Sequence, residues 1–178
     1  MNKKLIFIAP LILFILMVGM LFTGLGKDPT MLESQMIGKA IPEFNLPTLY
    51  EPNKIITHDD IKGPALINVF ASWCPSCYTE HPYLMQLQQS GEVPIYGLNY
   101  KDTRPKGLKF VNDLGDPYTT IIFDERGRLG IEFGVYGAPE TYVIDANNRI
   151  VYRHVGVVSD IVWQETIKPI IYPEESGQ

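Results

Sequence analysis

The chain has 178 residues, of which 46% are hydrophobic and 20% charged, the composition of one folded domain with an appendage rather than of a disordered chain. The net charge is −5, and no basic cluster is longer than the Lys3–Lys4 pair, so we predict no nucleic acid partner. Two cysteines are too few for a disulfide framework, which usually needs four or more.

The N-terminal segment predicts a membrane anchor. No charged residue occurs from Leu5 to Gly26, and a helix of these 22 residues would be roughly 33 Å long, enough to cross a bilayer core of about 30 Å. The Lys3–Lys4 pair precedes the apolar run, which predicts a cytoplasmic N-terminus. The remaining residues would then lie across the membrane, which is the periplasmic side of the inner membrane if the source is a Gram-negative bacterium. A cleaved signal peptide is the alternative, although its apolar region is usually shorter. The predicted organisation is an anchor over residues 1–26, a tether over 27–37 and a folded domain over 38–178.

Strands and helices alternate along the predicted folded domain. Turn residues among short apolar pieces indicate a hairpin or short strands near its start. Continuous apolar runs predict strands buried on both faces over 64–71 and 93–100. A shorter apolar run predicts a third strand over 119–124, and alternating apolar and polar residues predict a hairpin over 140–156. Helices are predicted over 74–91, 104–115 and 159–171, with a short helical or turn segment over 126–135. This order indicates an α/β fold in which helices flank a mixed central sheet.

Cys74 and Cys77 stand where the first buried strand meets the following helix. A disulfide between them closes a very small loop and would constrain the unfolded chain little. The pair is therefore better suited to a reactive role than to stabilising the fold. At a helix N-terminus, unpaired N–H groups and the helix dipole lower the pKa of the Cys74 thiol. Cys77 lies one turn later, where its thiol can resolve a mixed disulfide formed at Cys74. The spacing therefore predicts a thioredoxin-like redox site.

Two neighbouring features support this interpretation. Trp73 directly precedes the motif and is predicted to be an exposed apolar contact for substrate. Pro139 stands directly before a predicted strand, a position that suggests a cis bond between Ala138 and Pro139.

The chain resembles the thioredoxin superfamily and, more closely, the membrane-anchored thiol:disulfide interchange proteins of cytochrome c biogenesis, the DsbE/CcmG family. The resemblance covers about residues 38–172 and depends on INVFASWCPSCYTEHPYL, GLNYKD, GVYGAPETYVID and YRHVG. It implies a thioredoxin-like periplasmic reductant that keeps the haem-binding cysteines of apocytochrome c, or a maturation partner holding it, in the dithiol state. It also implies a membrane disulfide reductase as electron donor and no cofactor besides the cysteine pair.

The resemblance assigns a role to each matching residue. Cys74 is the nucleophile, Cys77 the resolving thiol and Pro139 the cis-proline. In thioredoxin-like domains the proline loop faces the cysteines and its backbone pairs with the bound polypeptide, which makes Ala138 and Glu140 substrate contacts.

A carboxylate is needed to take the proton of the resolving thiol. Thioredoxin has a buried aspartate six residues before its first cysteine, and here that position is Asn68, which cannot take a proton at neutral pH. Glu80, three residues after Cys77, looks like the family's active-site acid, and Glu140 is the second candidate. A carboxylate desolvated against the sheet would have the raised pKa that this task requires.

Two other functions remain open from sequence. A general periplasmic disulfide reductase or oxidant would use the same cysteines. A copper-handling protein could bind the metal through Cys74 and Cys77, with His81 on the same helix end. A structural zinc site requires four ligands, and the sequence has no second cysteine pair. We therefore predict no metal site.

Overall fold

In the computed structural model, residues 3–24 and 36–173 are described. They form two compact units: an N-terminal helix, α1 (Lys3–Gly24), and the domain that contains the cysteines. Within these described residues, no helix is long and apolar enough to cross a membrane. Most of the predicted tether, residues 27–37, lies outside the described residues.

The domain begins with a small antiparallel hairpin of β1 (Asn45–Pro47) and β2 (Ile55–Thr57), which confirms the predicted short strands. The elements after it alternate as predicted: β3 (Ala65–Phe70), α2 (Pro75–Ser90), β4 (Ile95–Tyr100), α3 (Arg104–Leu114), β5 (Thr120–Asp124), α4 (Arg128–Phe133), β6 (Glu140–Ile144) and β7 (Ile150–Val155). The main sheet has the strand order β5-β4-β3-β6-β7. Strands β3, β4 and β5 are parallel to one another, whereas β6 pairs antiparallel with both of its neighbours, β3 and β7. The predicted mixed sheet is therefore confirmed.

The central strand β3 is buried at all six positions, because both faces of the sheet are covered. Alternate side chains along a strand point to opposite faces. Leu66 and Phe70 join an apolar cluster with residues of α2, α3 and the C-terminal helical segment. Ile67 and Val69 join a second cluster with residues of α4 and β2 on the other face.

The C-terminal segment differs in detail from the single helix predicted over 159–171. Ser159 is the N-cap, as predicted, and its side chain accepts a hydrogen bond from the Val162 N–H. The segment then runs through α5 (Asp160–Val162), a π-helical turn (Trp163–Ile167) and α6 (Lys168–Ile171). Pro169 has no N–H to donate to the preceding turn, which favours a local departure from α-helical bonding there.

Helix α2 begins and ends where the sequence predicts. Cys74 is its N-cap, Pro75 is its first residue, and Gly91 ends it in the left-handed conformation at φ 69°. Because α2 follows β3 after a short loop, the first cysteine lies at the carboxyl end of the central strand.

Candidate active site

A disulfide joins Cys74 and Cys77, with 5.4 Å between their Cα atoms. The backbone N–H of Cys77 points at Cys74 Sγ at 3.2 Å, as the N-cap position requires. This donor and the helix dipole would also stabilise a thiolate at Cys74 after reduction. Both cysteines are buried in this oxidised form, so a client has to approach Cys74 through its immediate surroundings.

The loop before the cysteines is held by the turn after β4. The Asp102 carboxylate accepts hydrogen bonds from the Ser72 N–H at 2.7 Å and the Ser72 hydroxyl at 2.8 Å. Trp73 is half exposed, as predicted, and its Nε1–H donates to the Lys101 carbonyl at 3.0 Å. Sequence analysis did not find the role of Asp102. An acidic residue two positions after a buried parallel strand was the available signal, because the carboxyl ends of adjacent parallel strands lie side by side.

The loop before β6 approaches the same region. The Ala138–Pro139 bond is cis, as predicted. Strand β6 pairs with β3 and places Glu140 opposite Val69, next to the end of the strand that leads to the cysteines. Ala138 packs against the apolar cluster that contains Cys74 and Cys77.

Glu80 is a buried acidic residue on the cysteine side of the sheet. Its side chain is 1% exposed and lies on α2 one turn beyond Cys77. One carboxyl oxygen accepts from Asn68 Nδ2 at 2.9 Å and the other from the Val158 N–H at 3.0 Å. Burial raises the pKa of Glu80 to about 7, although both hydrogen bonds act in the opposite direction. The predicted direction of this shift is confirmed, and the carboxyl can exchange a proton near neutral pH.

Two residues that sequence analysis missed complete the surroundings of Asn68. Its amide also donates to Thr141 Oγ1 at 3.0 Å, and its carbonyl accepts from the Tyr118 hydroxyl at 2.9 Å. Burial, followed by the charge of Glu80, raises the pKa of Tyr118 well above its ordinary value, so its hydroxyl acts as a donor. The network therefore fixes the Asn68 amide so that its N–H groups face Glu80 and Thr141.

Glu140 does not belong to this group, which corrects the expectation that it is a second proton acceptor. It pairs in register with Val69, whose side chain lies on the face of the sheet opposite to the cysteines. Its carboxylate forms a buried ion pair with Arg153 at 2.9 Å and accepts from the Tyr142 hydroxyl at 3.0 Å. The side chain is only 1% exposed, so it does not itself offer a surface to substrate, and a substrate contact through the Glu140 backbone stays a prediction.

Glu140 instead holds the loop that precedes it. Its other carboxyl oxygen accepts from the backbone N–H groups of Tyr136 at 2.9 Å and Gly137 at 3.1 Å. Through these hydrogen bonds, Glu140 fixes the loop of Pro139 to the face of the sheet opposite to the cysteines.

His81 does not join the cysteines in a metal site. Its Nε2 lies 2.9 Å from the Gly115 carbonyl oxygen, and its ring packs edge-on against Phe110 with 4.9 Å between centroids. Burial lowers the pKa of His81. Over the described ranges of the chain, no three His, Cys, Asp or Glu residues are grouped so that they could hold a metal ion.

The fold and the helix-capping cysteine pair define the class of protein: a thioredoxin-like thiol:disulfide oxidoreductase whose redox group is the Cys74–Cys77 disulfide. The redoxin family matches residues 36–166. Together with the relatives described next, this match shows that the chain belongs to the redoxin family and, within it, to the thiol:disulfide interchange proteins DsbE.

Three such relatives are similar over nearly their whole length. The thiol:disulfide interchange protein DsbE of Vibrio cholerae is 53% identical, covering 96% of this chain and 95% of the relative. The protein of the same name from Pseudomonas aeruginosa is 47% identical over 94% of this chain and 93% of its own. That of Escherichia coli K12 is 43% identical over 99% of this chain and 100% of its own.

Solved structures agree on the fold. A secreted thiol-disulfide isomerase from Corynebacterium glutamicum superimposes with a TM-score of 0.65 at 22% identity, covering 81% of this chain and 95% of that one. A thio-disulfide isomerase from Thermus thermophilus gives a TM-score of 0.61 at 24% identity, covering 74% and 94%.

Proposed function

We propose that this protein is a membrane-tethered periplasmic reductant that delivers electrons to the haem-binding cysteines of apocytochrome c, or to a maturation partner that holds them. The observation that carries the direction of transfer is the buried carboxyl of Glu80, one helical turn beyond the resolving cysteine, with a pKa raised by burial to about 7. The resemblance of the cysteine and proline motifs to proteins of cytochrome c biogenesis supports the choice of client.

The reaction begins with the reduced pair. The Cys74 thiolate attacks a sulfur of the client's disulfide, which forms a mixed disulfide and releases one client thiolate. Glu80 takes the proton of the Cys77 thiol, and the Cys77 thiolate then attacks Cys74 Sγ. The second client thiol leaves, the Cys74–Cys77 disulfide reforms, and two electrons have passed to the client. A membrane disulfide reductase restores the dithiol.

The position of Glu80 suits a reductant. A carboxylate close to a thiol disfavours the thiolate, so it weakens the stabilisation of the reduced form by the helix N-terminus. A less stabilised reduced form makes the disulfide form less oxidising. Since Glu80 titrates near neutral pH, its charge is present over the upper part of the physiological range.

The tethering is part of the proposal. The run from Leu5 to Gly26 has no charged residue, and α1 covers Lys3–Gly24. Large apolar side chains from Leu11 to Phe22 are exposed to solvent within this unit, which favours a lipid environment for them. The lysines that precede the run favour a cytoplasmic N-terminus, so the catalytic domain would lie in the periplasm.

Trapping with Cys77→Ser tests the proposed client. Without the resolving thiol, the mixed disulfide at Cys74 accumulates, and mass spectrometry of the purified adducts identifies the trapped protein. We expect apocytochrome c or a cytochrome c maturation protein. The double variant Cys74→Ser/Cys77→Ser is the matched control and should trap nothing. Adducts dominated by unrelated periplasmic proteins would contradict the proposed pathway and favour a general reductase or oxidant.

A further inference from the structure

A cleft of about 340 Å³ is lined in part by Trp73 and Tyr78, the residues directly before and after the cysteine motif, and takes no part in the steps described above. One wall comes from the residues around the cysteines and the other from the exposed side of α3. We name it the α3 cleft and define it by six of its lining residues, Trp73, Tyr78, Lys106, Lys109, Phe110 and Asp113.

The aromatic walls of the α3 cleft are half exposed and yet fixed. Trp73 is 50% exposed and Tyr78 is 46% exposed. The indole N–H of Trp73 donates to the Lys101 carbonyl, and the hydroxyl of Tyr78 donates to the Ser72 carbonyl, both at 3.0 Å. Because the polar end of each ring is already bonded to backbone, the exposed surface that remains is apolar ring surface.

Phe110 forms the floor between them. The Tyr78 ring packs edge-on against Phe110 with 4.7 Å between centroids, which fixes the ring plane. Rigid aromatic surface bound at little entropic cost is the kind of surface that takes up an apolar side chain. A volume of this size lies at the lower end of the range for binding pockets and has room for one large side chain.

The rim of the cleft is basic, although the whole chain carries a net charge of −5. Lys106 and Lys109 stand on α3 with Asp113, and the Lys109 ammonium lies 2.6 Å from the Asp113 carboxylate. Two cations and one anion leave a local excess of positive charge. This excess complements a carboxylate on whatever occupies the cleft.

We propose that the α3 cleft binds the client segment next to its reacting cysteine, through a large apolar side chain followed or preceded by an acidic residue. Continuity of the cleft with the redox site favours a client over a free ligand, because Trp73 directly precedes Cys74 and Tyr78 directly follows Cys77. A polypeptide bonded to Cys74 Sγ therefore passes the mouth of the cleft. This inference rests on the proposed function as a reductant of protein disulfides.

Symmetric peptide disulfides test the proposal. Each probe is a short peptide with one cysteine, joined to a second copy of itself, so that attack on either sulfur gives the same products. One probe has phenylalanine and glutamate beside the cysteine, and the other has serine and lysine at those positions. The rate constants for oxidation of the reduced full-length protein are followed by tryptophan fluorescence. We expect the first probe to react about tenfold faster, equal to about 1.4 kcal/mol, since aromatic contact and charge both favour it.

Variants show whether the cleft produces this ratio. Tyr78→Ala and Lys106→Glu should each reduce it to about threefold or less, whereas Tyr78→Phe, which keeps the ring, should retain most of it. Lys62→Glu is the matched charge control, because Lys62 precedes the amino end of β3 while the cysteines follow its carboxyl end. It should leave both rates unchanged.

Three outcomes would overturn the inference. A ratio near one in the wild type, with normal reduction of the small neutral disulfide 2-hydroxyethyl disulfide, would show that the α3 cleft does not select the client segment. The proposed function as a disulfide reductant would be unaffected by that result. A ratio that persists in both Tyr78→Ala and Lys106→Glu would place the selectivity elsewhere. Failure to reduce any of these disulfides would contradict the proposed function itself, and the cleft inference would fall with it.

Discussion

At the scale of single residues, the site depends on a carboxyl group kept away from water. Glu80 has two hydrogen-bond donors, Asn68 and Val158, and still has a pKa raised to about 7, so desolvation outweighs both contacts. An asparagine at position 68 donates to this carboxyl and cannot compete with it for a proton. Among the described residues of this buried network, Glu80 is therefore the group whose pKa lies near neutral pH.

Glu80 should make the stability of the oxidised protein depend on pH. Its pKa rises from 4.5 to about 7 on folding, so the folded state keeps a proton that the unfolded state releases between these values. The stabilisation is complete below about pH 4.5 and is lost as the pH rises through 7, a change of roughly 3 kcal/mol. Urea unfolding at pH 4 to 8 measures this slope. Glu80→Gln should flatten it, and Glu132→Gln, at an exposed position, should keep it; equal slopes in all three proteins would contradict the prediction.

The same carboxyl should set the reduction potential. Glu80→Gln removes the negative charge near the thiols, which lowers the pKa of the Cys77 thiol and stabilises the reduced form. We expect the potential to become more oxidising by roughly 30 mV, equal to about 1.4 kcal/mol for two electrons. Equilibration with a glutathione redox buffer, followed by alkylation of the free thiols, measures the change. A potential and thiol pKa values identical to those of the wild type would remove Glu80 from the mechanism.

At the scale of elements, two loops at one edge of the sheet are fastened from different sides. Asp102, at the end of β4, fixes the loop before the cysteines through both the backbone and the side chain of Ser72. Glu140, at the start of β6, fixes the loop of Pro139 from the opposite face of the sheet. Both acids are buried and bonded to backbone N–H groups, so the redox site lies between two loops held by the sheet itself.

Breaking the ion pair behind the proline loop should destabilise the protein. Glu140→Gln leaves Arg153 buried without its counter-ion, and such a loss costs about 3–5 kcal/mol. Chemical denaturation measures the cost, and hydrogen exchange at Tyr136 and Gly137 should increase, since their N–H groups are bonded to Glu140. The double variant Glu140→Gln/Arg153→Met should recover part of the loss, because no unpaired charge remains. If the stability loss of the double variant equals the sum of the losses measured for Glu140→Gln and for Arg153→Met alone, the two residues are not coupled.

At the scale of the whole molecule, the chain combines a catalytic domain with an apolar helix that forms a separate unit. Among the described residues, the members of the redox site named above all lie between Asn68 and Val158, within the cysteine-containing unit. Catalysis and tethering should therefore be separable.

On the anchor proposed above, Ile15→Arg should detach the protein from the membrane without affecting its chemistry. Ile15 lies in the middle of the apolar run, and an arginine at the centre of a spanning helix costs about 2.5–3.5 kcal/mol on insertion scales. Membrane fractionation should move the variant to the soluble fraction, while Ile15→Leu stays with the membranes. The rate of insulin disulfide reduction in detergent should match the wild type. Wild-type protein found in the soluble fraction would contradict the anchor.

The sequence by itself determined the order of elements, the mixed sheet and the position of the cysteines, because these follow from local patterns. Apolar runs predict buried strands, Pro75 and Gly91 delimit a helix, and the two cysteines lie one turn apart at its start. The proline before β6 signalled the cis bond in the same local way.

Only the tertiary structure decided which of the two carboxyl groups lies on the cysteine side of the sheet. The sequence made Glu80 the first candidate and Glu140 the second without excluding either, but the register of β6 against β3 puts Thr141 opposite Asn68 and turns Glu140 to the other face. A shift of one residue would exchange those faces, and no local pattern sets this register. Tyr118 likewise reaches Asn68 across 50 residues of chain. Long-range pairing, rather than composition or spacing, therefore determines which residues surround Glu80.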